Sequence, residues 1–167
     1  MENKQGMEVG GRFDFQLVRD GKVIDEWSEH NLVVNEGLNH LLNTQFNGGA
    51  QVATWYCGLF EGNYTPVATD TGANIAANAT ESVAYTETTR PEWIEAPASG
   101  QQITNTANKA VFTMNASKTI YGAFLISNNT KGGATGVLFA ASRFAVARTV
   151  VTEDQLLVTY TIQAASS

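Results

Sequence analysis

Few residues in this chain carry reactive chemistry, and their spacing limits what that chemistry could be. His30 and His40 are the only histidines, and Cys57 is the only cysteine. Zinc takes three or four ligands at compatible spacing, so this set makes no metal motif, and no metal or other cofactor is expected. A nucleophilic cysteine needs exposure and a neighbouring base. Cys57 instead sits inside Thr54-Trp55-Tyr56-Cys57-Gly58-Leu59-Phe60, the densest apolar and aromatic run of the chain, and reads as an inert buried thiol. Carboxylates fall in pairs, Asp25 with Glu26 and Glu61 with Asp70, of the kind a glycoside hydrolase sets across a sugar-binding groove. Nothing in one sequence makes either pair converge, and solvated charges on loops and strand faces account for them more simply. The run Asn129 to Gly136 is glycine-rich but lacks the Gly-Lys-Ser/Thr ending of a phosphate loop and leads into a strand, so it reads as a mobile hairpin loop. Among the aromatic residues, Tyr64 and Trp93 stand in loop context, where exposed rings could contact a sugar or another protein. The four Asn-x-Ser/Thr sites, beginning with Asn63-Tyr64-Thr65, matter only in a secreted protein. No catalytic residue is assigned, and the chain is not expected to be an enzyme.

The elements that position these groups follow from the hydrophobic pattern. The run around Cys57, bounded by Asn47-Gly48-Gly49 and Glu61-Gly62-Asn63, reads as a buried central strand. Gly58 at its middle implies that another backbone or an aromatic ring lies close against it. Residues 1–11 are polar, Gly-rich and aperiodic, which predicts a flexible arm that orders only on binding. Phe13, Phe15 and Leu17 then alternate with Asp14 and Gln16, and Asp20-Gly21 separates them from a second run ending at Trp27, so 12–27 reads as a hairpin. A short strand over 31–34 precedes the one substantial helix, capped by Asn35, whose Leu38, Leu41 and Leu42 form a face that must dock on a sheet. Residues 61–100 form a long excursion with a helical turn through Ile75 and Ala77 and a short strand over 82–86. Strands follow at 101–105, 109–114, 119–127, 136–144, 145–151 and 154–163. Gly122 and Ala123 in the third of these are expected to accommodate large rings from elsewhere. The sum is an all-β chain: one antiparallel β-sandwich of jelly-roll type over residues 12–163, with one short helix and a long loop excursion.

Composition narrows the partners. A chain of 167 residues fits one domain and can bury roughly 70% of its unfolded surface without disulfides or metals. The lone cysteine and the polar opening Met1-Glu2-Asn3-Lys4 fit synthesis in a reducing cytoplasm. No stretch has the length of a membrane span, and a net charge of −6 does not suit a phosphate-neutralising surface. Neither membrane nor nucleic acid is the expected partner.

The order of motifs resembles small virion structural proteins of tailed bacteriophages. The residues that carry the resemblance are Asn35-x-Gly37 with Leu41-Leu42, Thr54-Trp55-Tyr56-x-Gly58-Leu59, Asp70-Thr71, Tyr85, Arg90-Pro91 and Phe112-x-Met114-Asn115. Gly122-Ala123-Phe124-Leu125, Leu138, Ser142-x-Phe144 and Asp154-x-Leu156-x-Val158-Thr159-Tyr160 complete it. It spans roughly residues 31–162, leaves out the first hairpin, and is similar to head decoration (cement) proteins and tail-associated proteins alike. The resemblance implies a virion location on the capsid surface, the major capsid protein as partner, and self-association as a homodimer or homotrimer. A tail-associated or glycan-binding virion protein is the alternative, and a glycan-cleaving enzyme is the third reading. The expected interface residues are Met7 and Val9 in the arm, with Tyr64, Arg90 and Trp93 in the excursion.

Overall fold

The computed structural model describes residues 6–166 and consists mostly of β-strand. In chain order the elements are β1 (Met7–Arg19), β2 (Lys22–His30), β3 (Leu32–Val33), α1 (Asn35–Phe46), β4 (Trp55–Phe60), α2 (Ile75–Asn78), β5 (Glu81–Ser82), β6 (Glu92–Trp93), β7 (Gln102–Thr104), β8 (Ala110–Thr113), β9 (Lys118–Ile126), β10 (Leu138–Val150) and β11 (Gln155–Ser166). The strands make two antiparallel sheets. One runs β2-β1-β11, with β7 and β8 sharing the far edge of β11; the other runs β3-β10-β9-β4, with β5 and β6 sharing the far edge of β4.

Alternation along the strands explains how the sheets pack. Phe13, Phe15 and Leu17 of β1 and Leu156, Val158 and Tyr160 of β11 point to one side and join Cys57, Leu59, Ala123, Leu125 and Phe144 of the other sheet in a common core. Burying each of the larger side chains contributes roughly 1.5–3 kcal/mol before entropy is counted. The second sheet is buried on both faces. Phe60, Phe124, Ile126 and Ala141 look away from the shared core onto Val34, Ile75 and Ala79, so the excursion after β4 is a cover for that sheet. Two buried faces are why β4 and β9 read as unbroken apolar runs.

Local chemistry sets the turns. Asp20 and Gly21 both adopt positive φ, 50° and 71°, which gives the β1–β2 hairpin the twist its strands require. The sequence expectation of two strands over 136–151 is corrected to the single β10, whose pairing moves from Arg143 to Arg148 while β9 moves only from Gly122 to Ile120. Phe144, in step with Ala140 and Ser142, faces the core, where its ring meets Phe15 edge-on at 4.7 Å. The cap expected at Asn35 is also corrected. Asn35 is the first helical residue, and Val34 precedes it without a side-chain cap.

The flexible arm expected over residues 1–11 is corrected over much of its length. Residues 1–5 lie outside the described residues, whereas Met7–Gly11 open β1 and pair with Ile162–Ser166 of β11. The alternation Met7, Val9 was too short and too Gly-rich to register as a strand by itself. Its partner, the far end of β11, provides the ladder.

Candidate interaction surface

An apolar groove of about 460 Å³ lies where the first residues of β1, the end of β11 and the outer face of α1 come together. Met7, Val9, Leu41, Phe46, Trp55 and Ile162 supply most of its apolar character. β1 places Met7 and Val9 there because they share the parity of Phe13 and Phe15, so their side chains fall on the same face of the sheet. Gly37 brings α1 in: a Cβ at this position would collide with the backbone of Phe139, so only glycine allows the helix this close to β10. The approach is one-sided. The start of α1 is packed and Leu38 touches the core, but Leu42 is 49% exposed and Phe46 75% exposed. The leucine face expected to dock wholly on a sheet is therefore partly unpartnered among the described residues.

The groove floor is aromatic. Trp55 and Trp93 are cross-strand partners, and Trp55 stands edge-on to Phe139 and to His40, both at 5.7 Å between ring centroids. Its rim carries Glu95 and, in an adjoining depression, Glu8, and neither lining includes a lysine or arginine.

Three of the five expected interface residues meet here, and two do not. Met7 is 59% exposed and Val9 half-buried, both on the groove wall. Trp93 also lines it, but the exposed ring expected from loop context is corrected: the excursion re-enters the sheet as β6, the side chain is buried, and Nε1 donates to the Tyr160 carbonyl at 2.9 Å. With its polar atom satisfied, the indole is core. Tyr64 is remote and half-buried. Its hydroxyl donates to Asp70 at 2.8 Å, and burial followed by this hydrogen bond raises its pKa.

Arg90 is corrected from surface to interior. Its guanidinium is fully buried and forms a two-pronged pair with Glu81, Nε at 2.8 Å and Nη2 at 2.6 Å, and also donates to the carbonyls of Asn128 and Gly133. Gly132 N–H donates to the same Glu81 carboxylate, and the Lys131 ammonium donates to the Tyr85 carbonyl at 2.7 Å. The glycine-rich loop between β9 and β10, expected to be mobile, is thus anchored at several points by a buried ion pair.

The groups considered for chemistry are occupied separately. Asp25 pairs with Arg148 at 2.8 Å, Glu26 accepts from Gln16, and Glu61 pairs with Lys118 at 3.0 Å. Asp70 is buried and holds Tyr64, the Val67 N–H and Asn78. Asp154, buried, accepts both prongs of Arg19 at 2.7 Å, which holds its pKa below the usual carboxylate value. Burial pushes the Cys57 thiol up to about 12. Among the described residues, no group of three His, Cys, Asp or Glu is placed to hold a metal ion.

No protein-family model matches the chain, and no curated protein matches it.

Proposed function

We propose that the chain is a non-enzymatic structural component of a tailed-bacteriophage virion, a decoration protein that binds the outside of the head and stabilises the shell, built as a single jelly-roll-type sandwich. The observation that supports this reading best is the surface where Met7, Leu42 and Phe46 expose apolar side chains beside a length of strand edge that, among the described residues, is unpaired. A contiguous apolar patch beside open main chain suits a protein partner better than a small-molecule substrate, because strand addition supplies affinity without any reactive group. A protein that binds only the assembled shell adds its binding free energy to the intact particle, so no catalysis is required. The net charge of −6 suits a complementary basic patch on the major capsid protein. Closed dimers or trimers would match the two-fold and three-fold positions of a shell.

The test is binding of the purified chain to heads assembled from the major capsid protein of its own genome, followed by cryo-electron microscopy. The expected result is co-sedimentation that saturates, with density on the capsid exterior and a higher temperature of head disruption. Density confined to the tail would support the tail-associated reading instead, and failure to bind any particle would remove the virion reading.

A further inference from the structure

The main-chain parity of β1 shows which atoms the open edge offers. In an antiparallel strand, the N–H and C=O of successive residues point alternately to the two neighbours. The Gly11 carbonyl accepts from Asn31 N–H at 3.3 Å, on the β2 side. With no register shift between Met7 and Gly11, the N–H and C=O of Met7 and Val9 point to that same side, where β2 does not reach. Among the described residues they have no main-chain partner there. The long outer strand β2 is handled differently. It carries Asp25, Glu26 and Glu29, and contacts from Asp25 to Arg148 and from Glu29 to the Ala145 N–H tie it to β10. One edge is charged and tied down; the other is open and flanked by the apolar groove.

We infer that this edge accepts an extended segment of another protein with an apolar–basic–apolar pattern, which adds as a strand beside Met7–Gly10. Residues opposite Met7 and Val9 exchange main-chain bonds with them and direct their side chains to the groove face, so they are apolar. The residue opposite Glu8 lies on the other face, directly beside that exposed carboxylate. A lysine or arginine fits there. A second copy paired over Met7–Val9 in the register centred on Glu8 fits less well, because it would put Glu8 directly opposite Glu8 of the copy, and like charges so placed are destabilising. The inference rests on reading this surface as a binding site, and not on where in a virion, or on what particle, the site is used.

The full chain, labelled with 15N, is titrated by NMR with a capped nonapeptide of alternating valine and lysine, and with its counterpart carrying glutamate for lysine. The lysine peptide is expected to shift the Met7 and Val9 amides and to protect both from exchange, with the glutamate peptide at least fivefold weaker. Val9→Pro removes an N–H that faces outward, not toward β11, so binding is lost while the rest of the spectrum is retained. If that variant does not fold, Glu8→Lys serves instead: it weakens the lysine peptide roughly fivefold and favours the glutamate peptide. Absence of shifts at millimolar peptide, equal binding of both peptides, or a concentration-dependent dimer that protects these amides would each overturn the inference. Peptide binding without head binding would retain it and remove the virion reading; head binding that survives loss of the peptide site would do the reverse.

Discussion

The ring of Phe124 lies over Gly58, its partner across the β4–β9 pair, and the ring of Phe60 lies over Gly122 two positions along in the reciprocal arrangement. A Cβ at either glycine would fall inside the ring that covers it. The guanidinium of Arg90 stands 5.5 Å from the Phe124 centroid, so that ring has little freedom to give way.

Gly58→Ala should therefore destabilise the protein by about 1–3 kcal/mol through overpacking, read as a lower urea midpoint at unchanged slope. Gly122→Ala should cost at least as much, because the carbonyl of Ser142 also crowds the new methyl group. Combining Gly58→Ala with Phe124→Leu should recover part of the loss; simple additivity would mean the two sites are not in contact.

The buried pair of Arg90 and Glu81 gives a second prediction. Removing one partner strands a buried charge, so Arg90→Met or Glu81→Leu alone should cost about 3–5 kcal/mol, whereas the double substitution should be much milder. Hydrogen exchange across residues 128–136 is the local readout, since Arg90 and Glu81 hold that loop by its main chain. Single variants should exchange faster there, and unchanged protection would mean that the loop is held by something else.

Asp154 sets an acid dependence. Its folded pKa is lowered, chiefly by the hydrogen bonds from Arg19, so the group contributes stability that is present above the unfolded value of about 3.9 and is lost as pH falls through the folded pKa. Thermal melts between neutral and strongly acid pH should show Asp154→Asn less stable than the parent at pH 6, with the gap closing as pH falls below 4. A constant gap would assign the effect to the Val151 N–H contact and not to charge.

Cys57 should be silent in the folded protein. With a thiol pKa of about 12, roughly one molecule in ten thousand is thiolate at pH 8, and the sulfur is fully buried. A chromogenic disulfide reagent should label it only at the rate of global unfolding. Fast labelling without denaturant would show that β4 opens locally.

What the sequence made legible was governed by neighbours close in the chain. Asp20-Gly21 announced the first hairpin because turn chemistry is local. Gly58 and Gly122 announced covering rings because a glycine inside an apolar run leaves a space that close packing must fill. Arg90 was misread as surface because its partner Glu81 lies in a stretch without periodicity, and a pair of this kind is created by the path of the excursion. Trp93 was misread for the same reason, since its carbonyl partner belongs to Tyr160. The groove is half legible: the sequence singles out Met7 and Val9, but it assigns Leu42 to a docked leucine face and gives no sign of the exposure of Phe46. Helical spacing identifies a face and does not reveal how much of it a sheet of limited length can cover.

The pairing of β1 with β11, which sets Met7 beside Ser166 and Val18 beside Gln155, also has a cost in time. The first strand of the fold waits for the last, so the contact that completes this sheet joins segments far apart in sequence and is slow to find. On the ribosome, the β1–β2 hairpin lacks its β11 partner for Phe13, Phe15 and Leu17 until residues 155–166 have emerged. Nascent chains stalled before Gln155 should remain open to proteolysis between β1 and β2, and chains long enough to present β11 should become resistant in a single step. Protection appearing earlier would mean that the hairpin finds another cover first.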